Sequence, residues 1–443
     1  MKIVIAGAGE VGTHLAKMLS NEEQEITVMD VDIKKLQLLE NYNMLPHLGS
    51  AISFSDLNYV KVGSSDLFIA VTPNEARNIL ACNMAKRLGA KKTVARIDND
   101  EFFDKTWHDH FTQLGIDHLI YPEMLAAKEI ASAVKRTWTR NWFELFDGEL
   151  IVVGVKIRAN ARIVNHMLKD VSNISHFLHV SAIKRNREII IPNGEDRILE
   201  NDIAYIATTR DHIDEVRDVC GKTQTDVDNL LIVGGTDIAE QLIKRLGKTY
   251  DIKIIEPNAA RCEELAQRYP DCKIVQGDFR DTELSEEESV SHYDAFIALG
   301  ENSAVNMMAC LIAKANGVPK TIAQVEDILY INEAESLNIG TIVNKKLLAS
   351  SRIYQILLDT DVDNAKCLAL AEAEVAEVIV KEGSRATRTE VKDLKLSRDM
   401  TIAGLVRDGK GQLVGGSTRI QAGDHIVVFC LQGAVHKLDK YFL

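Results

Sequence analysis

The chain contains the same sequence pattern twice, and this repeat constrains its fold more than any other feature. Residues 78–86 and 306–314 share an Asn, two alanines, a Cys and a closing Lys at matching positions. Residues 92–97 and 320–325 match at the same offset of 228. Each repeat alternates short apolar runs with helix-period segments, which is typical of a parallel, doubly wound sheet. The sequence therefore predicts an α/β chain with two Rossmann-like domains in tandem.

A glycine-rich loop opens the first repeat. The apolar run 3–6 is followed by Gly7, Gly9 and Gly12, and then by a segment with helical periodicity. The first glycine permits a tight strand-to-helix turn, the second lets a pyrophosphate approach the backbone, and the third allows close packing. The helix N-terminus adds free N–H groups and a positive dipole end. The residues predicted to bind the cofactor in this loop are Gly7, Ala8, Gly9, Glu10, Val11 and Gly12.

A carboxylate ends the second apolar run at Asp30, 18 residues after Gly12. At this place it can accept hydrogen bonds from ribose hydroxyls and would repel a 2′-phosphate, which favours NAD or NADH over the phosphorylated coenzyme. Strand, loop, helix and acid together predict a dinucleotide site much more strongly than the glycines alone. A packing role without a ligand is the weaker alternative, since packing does not require an acid here.

Further candidates lie where later strands end. Asp32 could reach the ribose or the adenine, or equally could cap the helix that starts at Ile33. Ser50 and Ala51 follow the third strand, beside the expected adenine. Thr72 and Pro73 follow the fourth, at the edge where open α/β sheets bind ligands. A loop-packing role is the alternative for the last pair.

After each repeat the sequence pattern changes to short runs of β-forming residues separated by turn residues. We therefore expect four domains: Rossmann-like domains at 1–140 and 228–350, and small α+β modules at 141–221 and 360–443. Trp138 and Trp142 are expected in a helical stretch that packs a domain junction or an oligomer face. Three histidines of the first module, at 166, 176 and 179, are expected on the surface or in turns.

The second repeat departs from the glycine pattern. Thr236 replaces the close-approach glycine, and Asp237 adds negative charge beside it. Glu256 at the end of the second strand remains suitable for a ribose. We predict that this half binds a nucleotide weakly, binds one in a different pose, or has become structural. Its candidate residues are Gly234, Gly235, Thr236, Asp237, Ile238, Glu256, Gly277 and Asp278.

Composition limits the class of protein. The net charge of −13 over 443 residues argues against nucleic acid as a partner. Seven scattered cysteines without a C-x-x-C pair indicate reduced thiols in the cytoplasm. No apolar run approaches a membrane span, and the strand that begins at residue 2 leaves no room for a signal peptide. His108 and His110 lack further ligands at suitable spacing, so no metal site is predicted.

The order of these features resembles the TrkA-type regulatory subunits of bacterial Trk potassium uptake systems, which are built from paired RCK (KTN) domains. The motifs that carry the resemblance are the glycine loop, Asp30, residues 95–97, residues 121–123 and the small modules, over essentially the whole chain. It implies a cytoplasmic homotetramer whose ring of RCK units gates a separate membrane-embedded potassium transporter subunit. It also implies binding of NAD(H) and of ATP or ADP.

The resemblance also bears on Arg96 and Glu123. It places Arg96 at the nucleotide phosphates, which we favour over a surface ion pair with the acidic segment after it. It places Glu123 near the phosphates or a divalent cation, while an ordinary acid in the first turn of a helix is an equal alternative. In the second repeat Gln324 stands in place of Arg96, and Lys345 takes roughly the place of Glu123.

The sequence thus predicts a nucleotide-sensing regulatory protein without catalytic residues. The main alternative is an NAD-dependent oxidoreductase acting on a small substrate, because the coenzyme motif is shared. Such an enzyme needs an acid/base residue at the nicotinamide, and the small modules offer no suitable cluster. A purely structural scaffold fits the altered second half but not the intact first.

Overall fold

The computed structural model describes residues 1–20, 24–171, 173–186, 188–281, 290–327, 329–361, 365–370, 373–431, 434 and 437–443. The chain divides into two compact units. The first contains residues 1–126 and 345–361, and the second contains the rest. The helical segment 345–361, which comes at the end of the second repeat, therefore belongs to the same unit as the first repeat.

The helices and strands follow one another in the order that the repeat predicts. The first repeat contains β1 (Lys2–Ala6), α1 (Glu10–Leu19), β2 (Glu25–Asp30), α2 (Ile33–Gln37), β3 (Leu45–Leu48), α3 (Phe54–Tyr59), β4 (Leu67–Ala70), α4 (Glu75–Leu88), β5 (Lys92–Arg96), α5 (Lys105–Gln113), β6 (His118–Ile120) and α6 (Pro122–Lys135). The first small module contains β7 (Asn141–Leu145), β8 (Leu150–Lys156), α7 (Leu168–Val171), β9 (His179–Arg185), β10 (Glu188–Ile190), β11 (Ile203–Thr209) and α8 (Ile213–Val219).

The second half of the chain follows the same plan. Its Rossmann-like repeat contains β12 (Asn229–Val233), α9 (Asp237–Leu246), β13 (Asp251–Glu256), α10 (Ala259–Arg268), β14 (Lys273–Gln276), β15 (Ala295–Ala298), α11 (Ser303–Ala315), β16 (Lys320–Gln324), α12 (Leu329–Ser336), β17 (Thr341–Val343) and α13 (Lys345–Asp361). The second small module contains β18 (Ala365–Leu370), β19 (Ala373–Ile379), β20 (Met400–Arg407), β21 (Lys410–Leu413), β22 (His425–Leu431) and α14 (Asp439–Phe442).

The first unit is built on a six-stranded sheet with the order β3-β2-β1-β4-β5-β6. Neighbouring strands are parallel, which is the doubly wound arrangement of dinucleotide-binding folds. The central strands β1 and β4 are almost completely buried because helices cover both faces. The predicted Rossmann-like fold is confirmed. In the same unit, α13 packs against α1 and touches β6.

The described residues of the second unit form three sheets. One has six parallel strands in the order β14-β13-β12-β15-β16-β17, which repeats the order of the first unit. The other two are five-stranded and antiparallel, with the orders β10-β9-β11-β8-β7 and β18-β19-β22-β20-β21. The small sheets share one apolar core, in which the rings of Tyr205 and Phe429 lie 5.7 Å apart. The tandem duplication of a Rossmann-like domain and a small module is thus confirmed.

Two local expectations were wrong. Trp142 lies on β7, not in a helix, because residues 141–145 pair antiparallel with β8. The guanidinium of Arg136 stacks 4.1 Å above the Trp142 ring, and both Trp138 and Trp142 pack against the core of the first module. The sequence pattern also predicts a helix over residues 33–42, but α2 ends at Gln37, and the backbone after it continues as turns with hydrogen bonds to the carbonyl three residues back.

Candidate nucleotide-binding site

The predicted residues of the first repeat come together at the carboxyl edge of the first sheet. Each follows or ends a parallel strand, and parallel strands end at the same edge. Gly7 comes directly after β1 and has a φ of +111°, a conformation that side chains strongly disfavour. Its N–H donates to the carbonyl of Met29 on β2 at 2.8 Å, which holds the turn against the neighbouring strand.

The other two glycines of the loop are needed for different reasons. A Cβ on Gly9 would meet no atom within 4 Å, so this position faces open space in front of the helix N-terminus. A Cβ on Gly12 would lie 1.9 Å from the carbonyl oxygen of Gly7, far inside contact distance. The open space suits a pyrophosphate, and the close contact explains why the helix needs glycine where it packs on the loop.

Asp30 links the second strand to the glycine loop. One carboxylate oxygen accepts a hydrogen bond from the N–H of Ala8 at 2.7 Å, and the other accepts one from the N–H of Asp32 at 2.9 Å. The Asp32 side chain accepts from the N–H of Lys34 and so caps α2, which was one of its two interpretations. A ribose contact of Asp32 stays a prediction.

Asn78 joins the ends of β4 and β5. Its side-chain oxygen accepts from the N–H of Thr72 at 3.0 Å and from the Thr72 hydroxyl at 2.6 Å. Its amide donates to the carbonyls of Thr72 and Arg96, both at 2.9 Å. Asn306 makes the same contacts in the second repeat, to Gly300 and to the carbonyl of Gln324. One buried amide thus fixes two of the loops that form the site.

Replacing Asn78 with alanine is expected to destabilise the first unit by about 2 kcal/mol, because buried backbone groups lose their hydrogen bonds. Denaturant unfolding measures the change. The matched variant Asn306→Ala should have a similar effect on the second unit. Full stability of both variants would contradict the role assigned to these amides.

Arg96 and Glu123 lie close together at the same edge. Arg96 Nη2 is 3.3 Å from a carboxylate oxygen of Asp98 and 3.9 Å from Oε1 of Glu123. The ion pair between Arg96 and Asp98, which was the alternative to phosphate binding by Arg96, is therefore present. Nε of Arg96 and Oε2 of Glu123 are nevertheless buried without a hydrogen-bond partner. A buried donor without a partner fits a site that a phosphate oxygen would complete.

Helix α13 adds two lysines to the site. Lys345 Nζ lies 2.9 Å from Oε1 of the buried Glu123, and Lys346 Nζ lies 2.9 Å from a carboxylate oxygen of Glu10 on α1. His14 lies on α1, and burial, with smaller contributions from Lys17 and Lys346, lowers the pKa of this histidine. The charge at this edge is thus a balance of Arg96, two lysines and the acids that they contact.

The remaining candidates of the first repeat lie at strand ends as expected. The N–H of Ser50 donates to Asp56 at 2.9 Å, and Ala51 beside it is buried. Thr72 is held by Asn78, while Pro73 is exposed. These residues border the same edge as the glycine loop, and their contact with a nucleotide stays a prediction.

The second repeat preserves part of this geometry. Gly234 has a φ of +102°. A carboxylate oxygen of Glu256 accepts from the N–H of Gly235 at 2.7 Å, as Asp30 does from Ala8. The N–H of Gly277 donates to the Glu256 carbonyl at 3.1 Å. Asp278 pairs with Arg280, which holds the pKa of that carboxyl below its usual range.

An ion-pair network covers the loop of the second repeat. Arg261 Nε donates to the carbonyl of Gly235 at 2.7 Å, and its guanidinium lies 2.6 Å from Glu240 and 3.4 Å from Asp237. Arg268 also pairs with Glu240. Thr236 follows Gly235, and its hydroxyl is buried without a partner, while Ile238 is buried in α9. This loop therefore carries contacts of its own where the first loop faces open space.

Other candidate clusters are less organised. Nε2 of His179 is buried without a partner, and burial lowers the pKa of this histidine to about 4. The expectation of a surface or turn position was thus wrong for His179, which begins β9. Within the described residues, which leave out the side chain of His108, no three His, Cys, Asp or Glu side chains form a metal-binding group. None of the described helices is long and apolar enough to cross a membrane.

Sequence reasoning missed Asn78 and the contribution of α13. The signal for Asn78 was available, because the repeat retains this Asn at 306. For α13 the signal was weaker: Lys345 occupies roughly the place of Glu123 but has the opposite charge. That the two side chains meet depends on where α13 packs, which the sequence pattern does not specify.

Comparison with known proteins identifies both kinds of domain. The sequence matches the TrkA-N domain at residues 3–122 and 230–345, and the TrkA-C domain at 152–221 and 375–443. A full-length relative is the Trk system potassium uptake protein TrkA of Haemophilus influenzae. It is 29% identical over 456 residues, which cover 100% of this chain and 98% of that protein.

Solved structures share the fold at lower identity. The GsuK RCK domain superposes with a TM-score of 0.63 at 13% identity and covers 99% of this chain and 94% of its own. The GsuK channel bound to NAD superposes with a TM-score of 0.62 at 12% identity, over 99% of this chain and 78% of that one. At such identities the likeness concerns the fold alone.

Proposed function

This chain belongs to the TrkA family, and from that premise we propose that it is a nucleotide-sensing regulatory subunit of a Trk-type potassium uptake system. NAD or NADH binds the first repeat, with ATP or ADP as further ligands. The chain acts at the cytoplasmic face of the membrane, as a homotetramer attached to a membrane-embedded transporter subunit. The name of its relative from Haemophilus influenzae supports the potassium system.

One observation carries the nucleotide assignment. The Asp30 carboxylate lies at the end of β2, hydrogen-bonded to the glycine loop, beside the open space in front of Gly9. A ribose bound here can donate hydrogen bonds from its hydroxyls to the carboxylate, while the pyrophosphate lies over the first turn of α1. The negative charge of Asp30 favours NAD(H) over the 2′-phosphorylated coenzyme. GsuK, which has the same fold, is known in a form bound to NAD.

The charge balance at the site suggests how binding is transmitted. Nucleotide phosphates placed between Arg96 and α1 would compete with Glu123 and Glu10 for their cationic partners. Two of these partners, Lys345 and Lys346, are on α13. A bound nucleotide therefore favours one position of α13 over another, and only this difference in affinity shifts the equilibrium. The membrane partner would respond to the position of α13.

The oxidoreductase alternative has less support. A dehydrogenase needs an acid/base residue that faces the nicotinamide, whereas Nε2 of His179 in the first small module is buried without a hydrogen-bond partner and the pKa of this histidine is lowered to about 4. A screen for NADH formation with hydroxy acids, alcohols and amino acids tests this alternative directly. Robust turnover would reverse the order of the two functions.

Replacing Asp30 with alanine is expected to weaken NAD binding by about tenfold or more, because charge-assisted hydrogen bonds to the ribose are lost. Calorimetry measures the binding, and potassium uptake with the membrane subunit measures the response. The matched variant Glu256→Ala, in the second repeat, should leave NAD affinity at the first repeat unchanged. Normal nucleotide regulation of uptake after binding has been lost would refute the proposed function.

A further inference from the structure

Among the described residues of the second unit, five cationic side chains lie near enough to act on one another's charge. This basic cluster consists of Arg140, Lys156, Arg158, Lys222 and Lys314. Asn338 joins two of them: Arg140 Nη2 donates to its side-chain oxygen at 2.6 Å, and Lys314 Nζ donates to its carbonyl. Lys314 is exposed and the other four are partly buried, so the cluster opens to solvent on one side.

The carboxylates that act on the basic cluster already have other partners. Glu335 lies 2.8 Å from Lys184 Nζ. Asp202 accepts from Nε and Nη2 of Arg185 at 2.9 and 2.8 Å. The chain as a whole carries a net charge of −13. Because acidic residues outnumber basic ones in the whole chain, the composition does not explain a local excess of positive charge.

The cations oppose one another's charge. Burial, followed by the neighbouring cations, lowers the pKa of Lys222 and of Lys314 to about 8. The same causes lower the pKa of Arg140 to about 10 and also lower that of Lys156. Among the described residues, the other titratable groups that act on the basic cluster are Lys320, which adds positive charge beside Arg140, and Glu335, Asp202, Cys220 and Cys310. They do not restore the usual pKa values.

The first repeat shows what the second has lost. Lys86, the equivalent of Lys314, forms a 2.8 Å ion pair with Asp117. Gly340 directly precedes β17 in the second repeat, as Asp117 directly precedes β6 in the first, and both strands pair in the same register with the strand beside them. Gly340 has a φ of +125°, and a Cβ there would lie 2.1 Å from the carbonyl oxygen of Thr321, so no side chain fits. The carboxylate that neutralises Lys86 thus has no counterpart at Lys314.

We propose that the basic cluster is a binding site for a small phosphorylated molecule with at least two phosphate groups, separate from the nucleotide loop. Guanidinium groups of Arg140 and Arg158 can bind phosphate oxygens two at a time, and the lysines add charge. A multivalent anion would remove the repulsion among the cations. The site does not depend on the proposed NAD site, since none of its residues lies in the first unit.

Tripolyphosphate is the probe, titrated into the full-length chain by calorimetry at low ionic strength with NAD saturating. We expect binding that weakens as salt is raised. Bound phosphate stabilises the charged form of a lysine, so binding should raise the pKa of Lys222 and of Lys314. The complex should therefore take up protons near pH 8.5. The affinity should fall as the pH rises from 8 to 10, because the lysines of the free protein lose their charge over this range. Buffers of different ionisation enthalpy measure the proton uptake. Absence of binding by the wild-type chain would overturn the proposal.

The variant Lys222→Gln/Lys314→Gln should bind tripolyphosphate at least about tenfold more weakly, because two charge-assisted contacts are lost. It should also melt at a higher temperature than the wild type without ligand, since repulsion is relieved. The matched variant Lys86→Gln, at the equivalent position of the first repeat, should keep wild-type affinity. Unchanged affinity of the double variant would overturn the proposal; if that variant fails to fold, Lys222→Gln alone is measured by the same criteria.

Discussion

Replacing Gly12 with alanine is expected to destabilise the first unit by about 2 kcal/mol, a typical cost of overpacking a filled site. It should also weaken NAD binding by about tenfold or more, because a loss of about 1.4 kcal/mol in binding free energy is already a tenfold change in affinity. The new Cβ would lie 1.9 Å from the Gly7 carbonyl oxygen and 3.2 Å from a methyl carbon of Val71. Helix α1 must move away from the loop to relieve these contacts. Its N–H groups then no longer point at the pyrophosphate position.

The second repeat offers a natural control for this prediction. Ala239 occupies the equivalent position in α9, so that loop already accommodates a Cβ. Ala239→Gly should cost only about 1 kcal/mol, the usual penalty for glycine within a helix, and should leave NAD affinity at the first repeat unchanged. Denaturant unfolding and calorimetry measure both variants. A Gly12→Ala protein that unfolds and binds NAD like the wild type would show that the loop tolerates the contact.

Replacing Lys345 with methionine is expected to destabilise the first unit by about 2 kcal/mol. It leaves Glu123, whose side chain is 8% exposed, without its 2.9 Å partner. Breaking a buried pair costs several kcal/mol, and the value here is reduced because Lys345 is 30% exposed. Hydrogen exchange should show weaker protection in α13, and denaturant unfolding should show the lower stability. Both follow from the loss of one contact that holds α13 to this edge.

The double variant Glu123→Gln/Lys345→Met separates the ion pair from the packing of the two side chains. It should regain most of the lost stability, because no buried charge is left unpaired. Glu123→Gln alone should tighten NAD binding, since it removes negative charge beside the expected phosphates. If the NAD affinity of Glu123→Gln equals that of the wild type, the phosphates do not lie at this edge. The stability expected for the double variant does not depend on where the phosphates lie.

The two repeats use one framework in different ways. In both, a carboxylate at the end of the second strand binds an N–H of the first loop, and a buried Asn ties the fourth strand to the fifth. The first loop faces open space at Gly9, whereas Arg261 and Glu240 cover the second. This difference supports our prediction that the second half binds a nucleotide weakly, in another pose, or not at all.

The local patterns of the sequence were enough to predict both Rossmann-like domains and their parallel, doubly wound sheets. Glycine spacing, helical and strand periods and strand-end acids each act over a few residues, so they can be recognised without a structure. The restart at residue 230 then predicted the second copy. Local pattern failed at Trp142, where strand pairing with β8 outweighed an apparent helical period.

The pairing of Glu123 with Lys345, 222 positions apart, could not be predicted. It depends on α13 leaving its own repeat to pack on α1, which is a matter of long-range packing that no local period reports. The basic cluster has the same origin, since its cations come from separate segments that meet only in the folded second unit. Sequence patterns define elements and their edges, while the charge balance at those edges depends on which distant elements pack there.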